Sequence, residues 1–354
     1  MDVVSITLKE YRAFYKRVYR HDPCFKDNKA GILPLVCGEG SAFRRRTQQV
    51  LLAVKDQGRI RCACLLLIHQ NAPQQLCLSF FEAEPDCQAA VAALLEHAAR
   101  YGRRQACRHM VVSLEGHVNH GVGFPLEAGT PSFGESYCPP YYHAYFAGLR
   151  RVEFTSFEDT AAAVRARLES DLPKLEKVRS KITLAHADFG GGFRETMRRY
   201  TDLNNRIFAE HPYYYRREYD EDAQLFGAMR PLLRGRHLIF ARYGDKDVGF
   251  ILWYPDFNEL VPPGRGASLR TFIKHKLLRQ HPSTAKVVEI GVEERYRRFG
   301  TIVLLFDAAL RAAAPHADTI LSSWIAEENA ASRAIAGHYT QNHHREYAAY
   351  ETDL

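Results

Sequence analysis

Apolar and polar positions along the chain fall into one pattern that is written twice. In the first half, Gln49–Gly58 reads as an apolar strand running into a polar turn, and Arg61–Ile68 as the apolar strand that leaves it. In the second half, His237–Asp245 and Val248–Tyr254 repeat that order. Two apolar runs joined by a Gly- or Asp-bearing turn predict a β-hairpin. An Ala/Leu-rich helix is predicted later in each half, at Gln88–Arg100 and Thr301–Ala314, and each is followed by an apolar strand, His109–Leu114 and Thr319–Ile325. Recurrence on this scale predicts two α/β copies rather than one oversized domain. The expected boundary follows Tyr145–Arg150, giving residues 1–153 and 154–354. Phe157–Lys181 is charged, Ala/Leu-rich and helix-compatible. Its Lys174, Lys177, Arg179 and Lys181 form a solvated surface or, alternatively, a basic face for a partner. Gly190–Gly192 reads as a linker, because no Lys-Ser/Thr follows it as a phosphate loop would require.

One stretch carries chemistry. Val287–Val292 is strand-like, Glu293–Tyr296 is a polar turn, Arg297-Arg298-Phe299-Gly300-Thr301 is basic and Gly-bearing, and Ile302–Leu310 is an apolar helix. A strand that feeds such a turn into a helix presents unpaired first-turn amides and a positive dipole end, which together suit an anion. The corresponding place in the first half, Phe80–Cys87, is acidic and would repel phosphate. The anion site is therefore expected in the second half. After the second-half strand, Glu327-Glu328-Asn329 leads into a small-residue helix, Ala330–Gly337, with Asn329 as a good N-cap. The chain closes with a strand-like run, Arg345–Glu351.

Composition narrows the class. With 354 residues, 46% hydrophobic and 25% charged, the chain reads as an ordinary globular protein of two-domain size. No apolar run approaches a membrane span, and the N-terminus lacks a signal-peptide layout. Eight cysteines occur without paired-ligand spacing; Cys62 and Cys64 alternate in an apolar run, as buried thiols do. Reduced thiols and a cytoplasmic location are expected. The His343-His344 pair has neither a Cys partner nor helical metal spacing, so it is read as a loop feature and no metal is expected. A formal charge of +7 suits an anionic donor or partner, and equally serves solubility.

The strand-turn-helix order resembles the acyl-CoA loop of the GNAT (GCN5-related N-acetyltransferase) superfamily, with Arg297, Gly300 and the strand-ending Val292 in place. Ile302 stands where that family has Gly or Ala. The order of further runs resembles tandem-GNAT proteins of a bacterial, YghO-like type. These runs are Gly121–Pro125, Cys138–Tyr142, Tyr200–Phe208 and Val248–Phe250 leading to Pro255–Asn258. The paired architecture is also similar to Fem-type transferases that use aminoacyl-tRNA.

The resemblance implies an α/β (α+β) chain of two tandem GNAT-like domains, mixed sheets flanked by helices, with a degenerate N-terminal copy. It implies an N-acyltransferase that takes an acyl group from acetyl-CoA, another acyl-CoA or a carrier-borne phosphopantetheine to the amine of a small molecule. Ile302 tilts the expectation toward an acyl carrier protein as donor partner. Donor contacts are expected from Val292, Arg297, Arg298, Phe299, Gly300, Thr301 and Asn329, with the Val292 amide, alone or with that of Gly291, meeting the acyl oxygen. Glu289, on the strand face opposite Val288 and Ile290, is either the general base or a paired structural carboxylate. The family's thiolate-protonating Tyr falls on Ala336, and Tyr339 is the substitute one turn on. Asp256, Asn258 and Glu327 are expected at the acceptor side. Tyr141 and Tyr214, from clusters after Pro140 and Pro212, either grip an acceptor or close an interface. A tRNA-dependent transferase and a catalytically decayed binding protein stand as alternatives.

Overall fold

The computed structural model describes residues 1–175, 181–211, 213–297 and 299–354. It divides into two compact units. Unit 1 holds Met1–Phe154, Val261–Ala267 and Glu346–Leu354; unit 2 holds Thr155–Leu260 and Ser268–Arg345.

In chain order, unit 1 contains β1 (Asp2–Ser5), α1 (Leu8–Val18), α2 (Lys29–Cys37), β2 (Thr47–Asp56), β3 (Arg59–His69), β4 (Gln75–Ala83), α3 (Gln88–Arg104), β5 (His109–Val112), β6 (Phe124–Pro125) and α4 (Tyr142–Tyr145). The strands order as β1-β2-β3-β4-β5. All neighbours are antiparallel except β4 and β5, which run parallel. The first hairpin forms as predicted, turning at Gln57-Gly58 with both residues at positive φ. Along β3, Cys62, Cys64, Leu66 and Ile68 share one face and meet Val91, Leu94 and Ala98 of α3 in the core. All eight cysteines are unpaired thiols.

Strand β7 (Arg150–Thr160) leads into unit 2. There follow α5 (Ala161–Asp171), β8 (Ile182–His186), α6 (Phe193–Ile207), α7 (Tyr219–Met229), β9 (Leu238–Tyr243), β10 (Lys246–Pro255) and α8 (Leu269–Phe272), which continues as a π-turn over Ile273–Leu277. The rest are β11 (Thr284–Val292), α9 (Glu294–Arg297), α10 (Thr301–Ala313), β12 (Thr319–Ser322), β13 (Ile325–Ala326), α11 (Ala330–Tyr339) and β14 (Asn342–Asp353). The strand order is β7-β12-β11-β10-β9-β8, with β11 and β12 parallel and the other neighbours antiparallel. In α6 the buried residues Met197, Tyr200, Thr201 and Asn204 follow helical spacing and turn one stripe to the sheet. The α10 stripe of Leu304, Leu305, Ala309 and Leu310 packs in the unit-2 core with Val164 and Leu168 of α5.

Several local expectations change. Phe157–Thr160 is strand, not helix, because Thr319–Leu321 of β12 pair with Glu158–Thr160; Lys177 and Arg179 lie outside the described residues. His343 and His344 belong to β14 rather than to a loop, and His344 Nδ1 lies 2.9 Å from Glu158. The predicted strand 319–325 breaks after Ser322. At the C-terminus, Tyr350–Asp353 pair antiparallel with β5, so the chain's last residues complete the sheet of unit 1. Among the described residues no helix is long and apolar enough to cross a membrane, and no cluster of His, Cys, Asp or Glu has metal-binding geometry.

Candidate active site

Strands β11 and β12 pair only from Thr284↔Thr319 to Val287↔Ser322, with one further bond from the Ser323 amide to the Val287 carbonyl at 2.8 Å. There β12 ends, while β11 continues to Val292 alongside β10. The β10–β11 register slips at the same place: Leu252 faces Glu289 and Trp253 faces Val287, which leaves Val288 as an extra residue. A bulge re-aims a strand and interrupts pairing, and here it coincides with the parting of β11 from β12.

The phase of the open edge follows from one bond. Glu293 N–H donates to the Val248 carbonyl of the β10 side at 2.9 Å. In an antiparallel ladder the amides alternate sides, so those of Ile290 and Val292 point to the edge that β12 has left. Among the described residues that edge carries no strand beyond Ser322. The Val292 carbonyl accepts from Arg297 Nε at 3.0 Å, which ties the strand end to the turn that follows.

That turn is built to start a helix. Gly300 takes φ +63° as the N-cap of α10, and among the described residues no side chain caps the first-turn amides. The Thr301 hydroxyl turns back to the Tyr296 carbonyl at 2.9 Å. Phe299 stacks on Tyr243 with ring centroids 6.0 Å apart. Ile302 is partly buried and packs against the unit-2 core. Uncapped amides beside an exposed Arg297 fit a pyrophosphate. Leu175 lies so close over Gly300 that an added Cβ would come within 2.4 Å of its Cδ2. Arg298 lies outside the described residues.

Glu289 sits at the parting, and its Oε2 accepts from the Tyr200 hydroxyl at 2.6 Å and from Asn204 Nδ2 at 2.9 Å. Burial raises its carboxyl above the ordinary value, against the pull of the Arg217 guanidinium and these two donors. Behind it, Arg217 and Asp222 form a buried ion pair. Asp222 also accepts from the Thr201 hydroxyl at 2.6 Å and is pushed up to about 6 by burial. Asn205 completes the support: its Oδ1 accepts from the Tyr214 hydroxyl at 2.6 Å and from the Arg217 amide at 2.9 Å. A carboxyl so held can accept a proton from a neighbouring amine.

The other expected residues are placed as follows. Asn329 caps α11, its side chain accepting from the Ser332 amide at 3.0 Å. Tyr339 is buried against Phe306, and its hydroxyl donates to Asp171 at 2.9 Å; none of the hydrogen bonds among the described residues links it to Glu289. Asp256 accepts from the Asn258 amide at 3.0 Å just after β10, and Asn258 is buried. Glu327 is exposed and lies 3.6 Å from Arg333. Tyr141 belongs to unit 1, where its hydroxyl donates to the Ala83 carbonyl.

Sequence reasoning assigned no role to Tyr200, Thr201, Asn204, Arg217 or Asp222. For the first three a signal exists: polar groups on the apolar stripe of an amphipathic helix. Arg217 and Asp222 carry none, because their pairing depends on the α6–α7 connection.

Unit 1 parts in the same way. β4 pairs with β5 only over Gln75–Leu78, with the Ser113 amide on the Leu78 carbonyl at 3.2 Å, and β4 then runs on to Ala83. Glu84 N–H donates to the Arg61 carbonyl at 2.9 Å, the counterpart of Glu293 on Val248. Counting from the parting, Ala83 stands where Val292 stands and Phe80 where Glu289 stands. Here the open-edge groups are taken: Ala83 N–H donates to the Tyr142 hydroxyl at 2.8 Å, and the Ala83 carbonyl accepts from the Tyr141 hydroxyl at 2.9 Å.

No family model matches the chain, and no curated protein matches it. Among solved structures it is similar to a tandem GNAT protein from the clavulanic acid biosynthesis pathway, with TM-score 0.55 and 13% identity over 99% of this chain and 98% of that one. It is similar to a GCN5-related glucosamine N-acetyltransferase region in a fungal multi-domain GH3 β-N-acetylglucosaminidase, with TM-score 0.58 and 13% identity over 99% of this chain and 38% of that one. A conserved protein of unknown function from Enterococcus faecalis V583 is similar at TM-score 0.53 and 8% identity, over 99% of this chain and 71% of that one. At such identities the likeness establishes the fold, which is that of tandem GNAT proteins: mixed sheets flanked by helices.

Proposed function

We propose that unit 2 is an N-acyltransferase that moves an acyl group from an acyl-CoA thioester to the amine of a small molecule, and that unit 1 is a copy whose donor cleft is closed. The observation that carries this reading is the parting of β11 from β12 beside Glu289, with the Ile290 and Val292 amides facing the gap. An acyl oxygen placed there meets donors fixed before the reaction, which favours the tetrahedral state over the planar one. Glu289 takes the proton of the attacking amine as the C–N bond forms, while Tyr200 and Asn204 hold its carboxylate in place; collapse of the tetrahedral state then breaks the C–S bond, and the CoA thiolate leaves and takes up a proton from solvent. The uncapped first turn of α10 and Arg297 receive the pyrophosphate, and no protein nucleophile is needed. In unit 1, Tyr142 on the Ala83 amide and Phe80 at the base position support a degenerate copy. A functional division near residues 153 and 154 is part of the same reading.

The test is thiol release from acetyl-CoA with a panel of small amines, for wild type and Glu289→Gln. The expected loss is about 10²- to 10⁴-fold in kcat, the usual worth of a general base, with little change in acetyl-CoA binding. A wild-type protein that neither binds nor turns over any acyl-CoA contradicts the proposal.

A further inference from the structure

Helix α8 and the π-turn that continues it hold three leucines in solvent. Among the described residues six large apolar side chains are exposed, and three of them, Leu269, Leu277 and Leu278, at 72%, 66% and 61%, fall within one short segment of unit 2. Their placement follows from helical spacing. Thr271 and His275, four positions apart, are the buried residues of the segment and mark its inner face. Leu269 stands two positions before Thr271 and Leu277 two after His275, which turns both away from that face. Backbone bonds fix the arrangement: the Leu278 amide donates to the Ile273 carbonyl and the Gln280 amide to the Lys274 carbonyl, each at 3.0 Å. Lys274 Nζ donates in turn to the Leu260 carbonyl at 3.0 Å. A single exposed leucine is ordinary; three held outward together form a patch.

The charge around the patch has one sign. Positions 260–288 contain no Asp or Glu, against 41 in the 354-residue chain. Arg270 follows Leu269 directly and Arg279 follows Leu278, and both arginines are exposed. Elsewhere in unit 2 arginines are matched with carboxylates, as Arg199 with Asp247, Arg206 with Glu293 and Arg311 with Asp307. Among the described residues no carboxylate pairs with Arg270 or Arg279. Glu259 approaches the far end of the segment, where its oxygens are taken by the Ser283 amide and hydroxyl at 2.8 and 3.0 Å and by the Thr284 amide at 2.9 Å. Each outward leucine thus has an uncompensated arginine as its neighbour in the chain. An anionic lipid surface matches that pattern: leucines enter the acyl boundary while guanidinium groups stay with the headgroups. A soluble protein partner is held chiefly by Trp, Tyr and Arg, with Leu under-represented, and single-stranded nucleic acid by stacking on aromatic rings. No aromatic ring of this segment is exposed.

We propose that the outer face of residues 269–279 is a docking surface for a membrane rich in anionic lipid, on which the protein lies without spanning it. Peripheral binding of this kind needs two signals together, apolar insertion and charge, and the segment supplies both. The surface includes none of Glu289, Val292 or Arg297 and does not depend on the acyl-transfer reading.

The experiment is co-sedimentation of the full chain with vesicles of mixed phosphatidylglycerol and phosphatidylcholine, and with vesicles of phosphatidylcholine alone. The variants are the pair Leu277→Gln with Leu278→Gln and the pair Arg270→Gln with Arg279→Gln. Leu184→Gln and Lys9→Gln, at exposed positions elsewhere, serve as controls. Wild type and both controls should bind the anionic vesicles and leave the neutral ones, with binding weakened by added salt. The leucine pair should lose at least about tenfold in partition. The arginine pair should lose about 20- to 30-fold, at roughly fivefold per charge. The substituted side chains are exposed, so the variants should melt with wild type; Leu269→Gln is read in place of any pair that does not. Absence of binding to anionic vesicles overturns the proposal, as does an equal loss in either control. Binding to heparin that survives the leucine changes, with none to vesicles, makes this a polyanion site and overturns it. A wild-type dimer that the leucine pair dissociates, again without vesicle binding, makes the patch a contact between copies of the chain and overturns it too.

Discussion

Replacing Tyr200 by Phe isolates one interaction of the site. The ring sits edge-on between Phe226, at 4.8 Å, and Phe250, at 5.3 Å, so Phe keeps the packing and loses only the hydroxyl. What goes is the 2.6 Å bond to Glu289 Oε2. A hydrogen bond to an ionised carboxylate is worth about 1.5–3 kcal/mol, and to a neutral one about 0.5–1.5 kcal/mol. Since 1.36 kcal/mol is one pKa unit, the Glu289 carboxyl should rise by about one unit beyond its already raised value. The pH dependence follows. A carboxyl raised in the folded state binds more protons there than in the unfolded chain, so its favourable contribution is full at low pH and is lost as pH rises through the folded value. The variant should therefore lose more stability at the alkaline end of a pH series, where the Glu289 carboxyl is ionised, than at the acid end, where it is protonated: about 1.5–3 against about 0.5–1.5 kcal/mol. Urea denaturation across the series measures both differences, and comparison with wild type cancels the other titrating groups. A loss that stays constant over the whole series would refute the reasoning, because Glu289 would then not be ionising against Tyr200.

Further outcomes follow from other contacts. Gly300→Ala places a Cβ at positive φ and against Leu175; it should cost about 1–3 kcal/mol in chemical denaturation, with part returned by Leu175→Ala in the double variant. Glu115 in unit 1 is buried and pushed up to about 7 by desolvation while accepting from the Phe80 amide at 2.6 Å. Its stabilising effect is present below the unfolded carboxyl range and fades as pH passes about 7, so Glu115→Gln should flatten the decline in melting temperature between pH 5 and pH 8. Tyr142→Phe strips the hydroxyl from the Ala83 amide and should cost about 1–3 kcal/mol of stability. Donor stoichiometry, read by calorimetry with acetyl-CoA, should stay at one per chain, because Tyr141 and Tyr145 still occupy the Ala83 and Glu84 carbonyls.

Sequence pattern carried the hairpins, the α3 and α10 helices and the strand-turn-helix order, because these depend on local periodicity and on turn chemistry at Gly58, Gly244 and Gly300. It placed Glu289 and Val292 on one strand, β11, whereas their proposed roles rest on the GNAT resemblance. The bulge at Val288 was hidden: an extra residue in one strand is defined by the neighbouring strand, not by its own sequence. Phe157–Thr160 was read as helix because the adjoining Ala/Leu run dominates the local signal, while its pairing with β12 is set by residues about 160 positions away. The ion pair of Arg217 with Asp222 and the seal of Tyr142 on Ala83 likewise join residues that no short motif connects.

The central claim is that a thioester arm lies where β11 and β12 separate, with its acyl oxygen on main-chain donors. A crystal structure with a non-hydrolysable acetyl-CoA analogue tests it most directly. The account predicts one analogue per chain, its pantetheine between the two strands, its carbonyl oxygen within hydrogen-bond distance of the Val292 amide and its pyrophosphate on the first turn of α10. An analogue bound between β4 and β5, or a β11–β12 gap that stays filled by protein at saturating concentration, would contradict it.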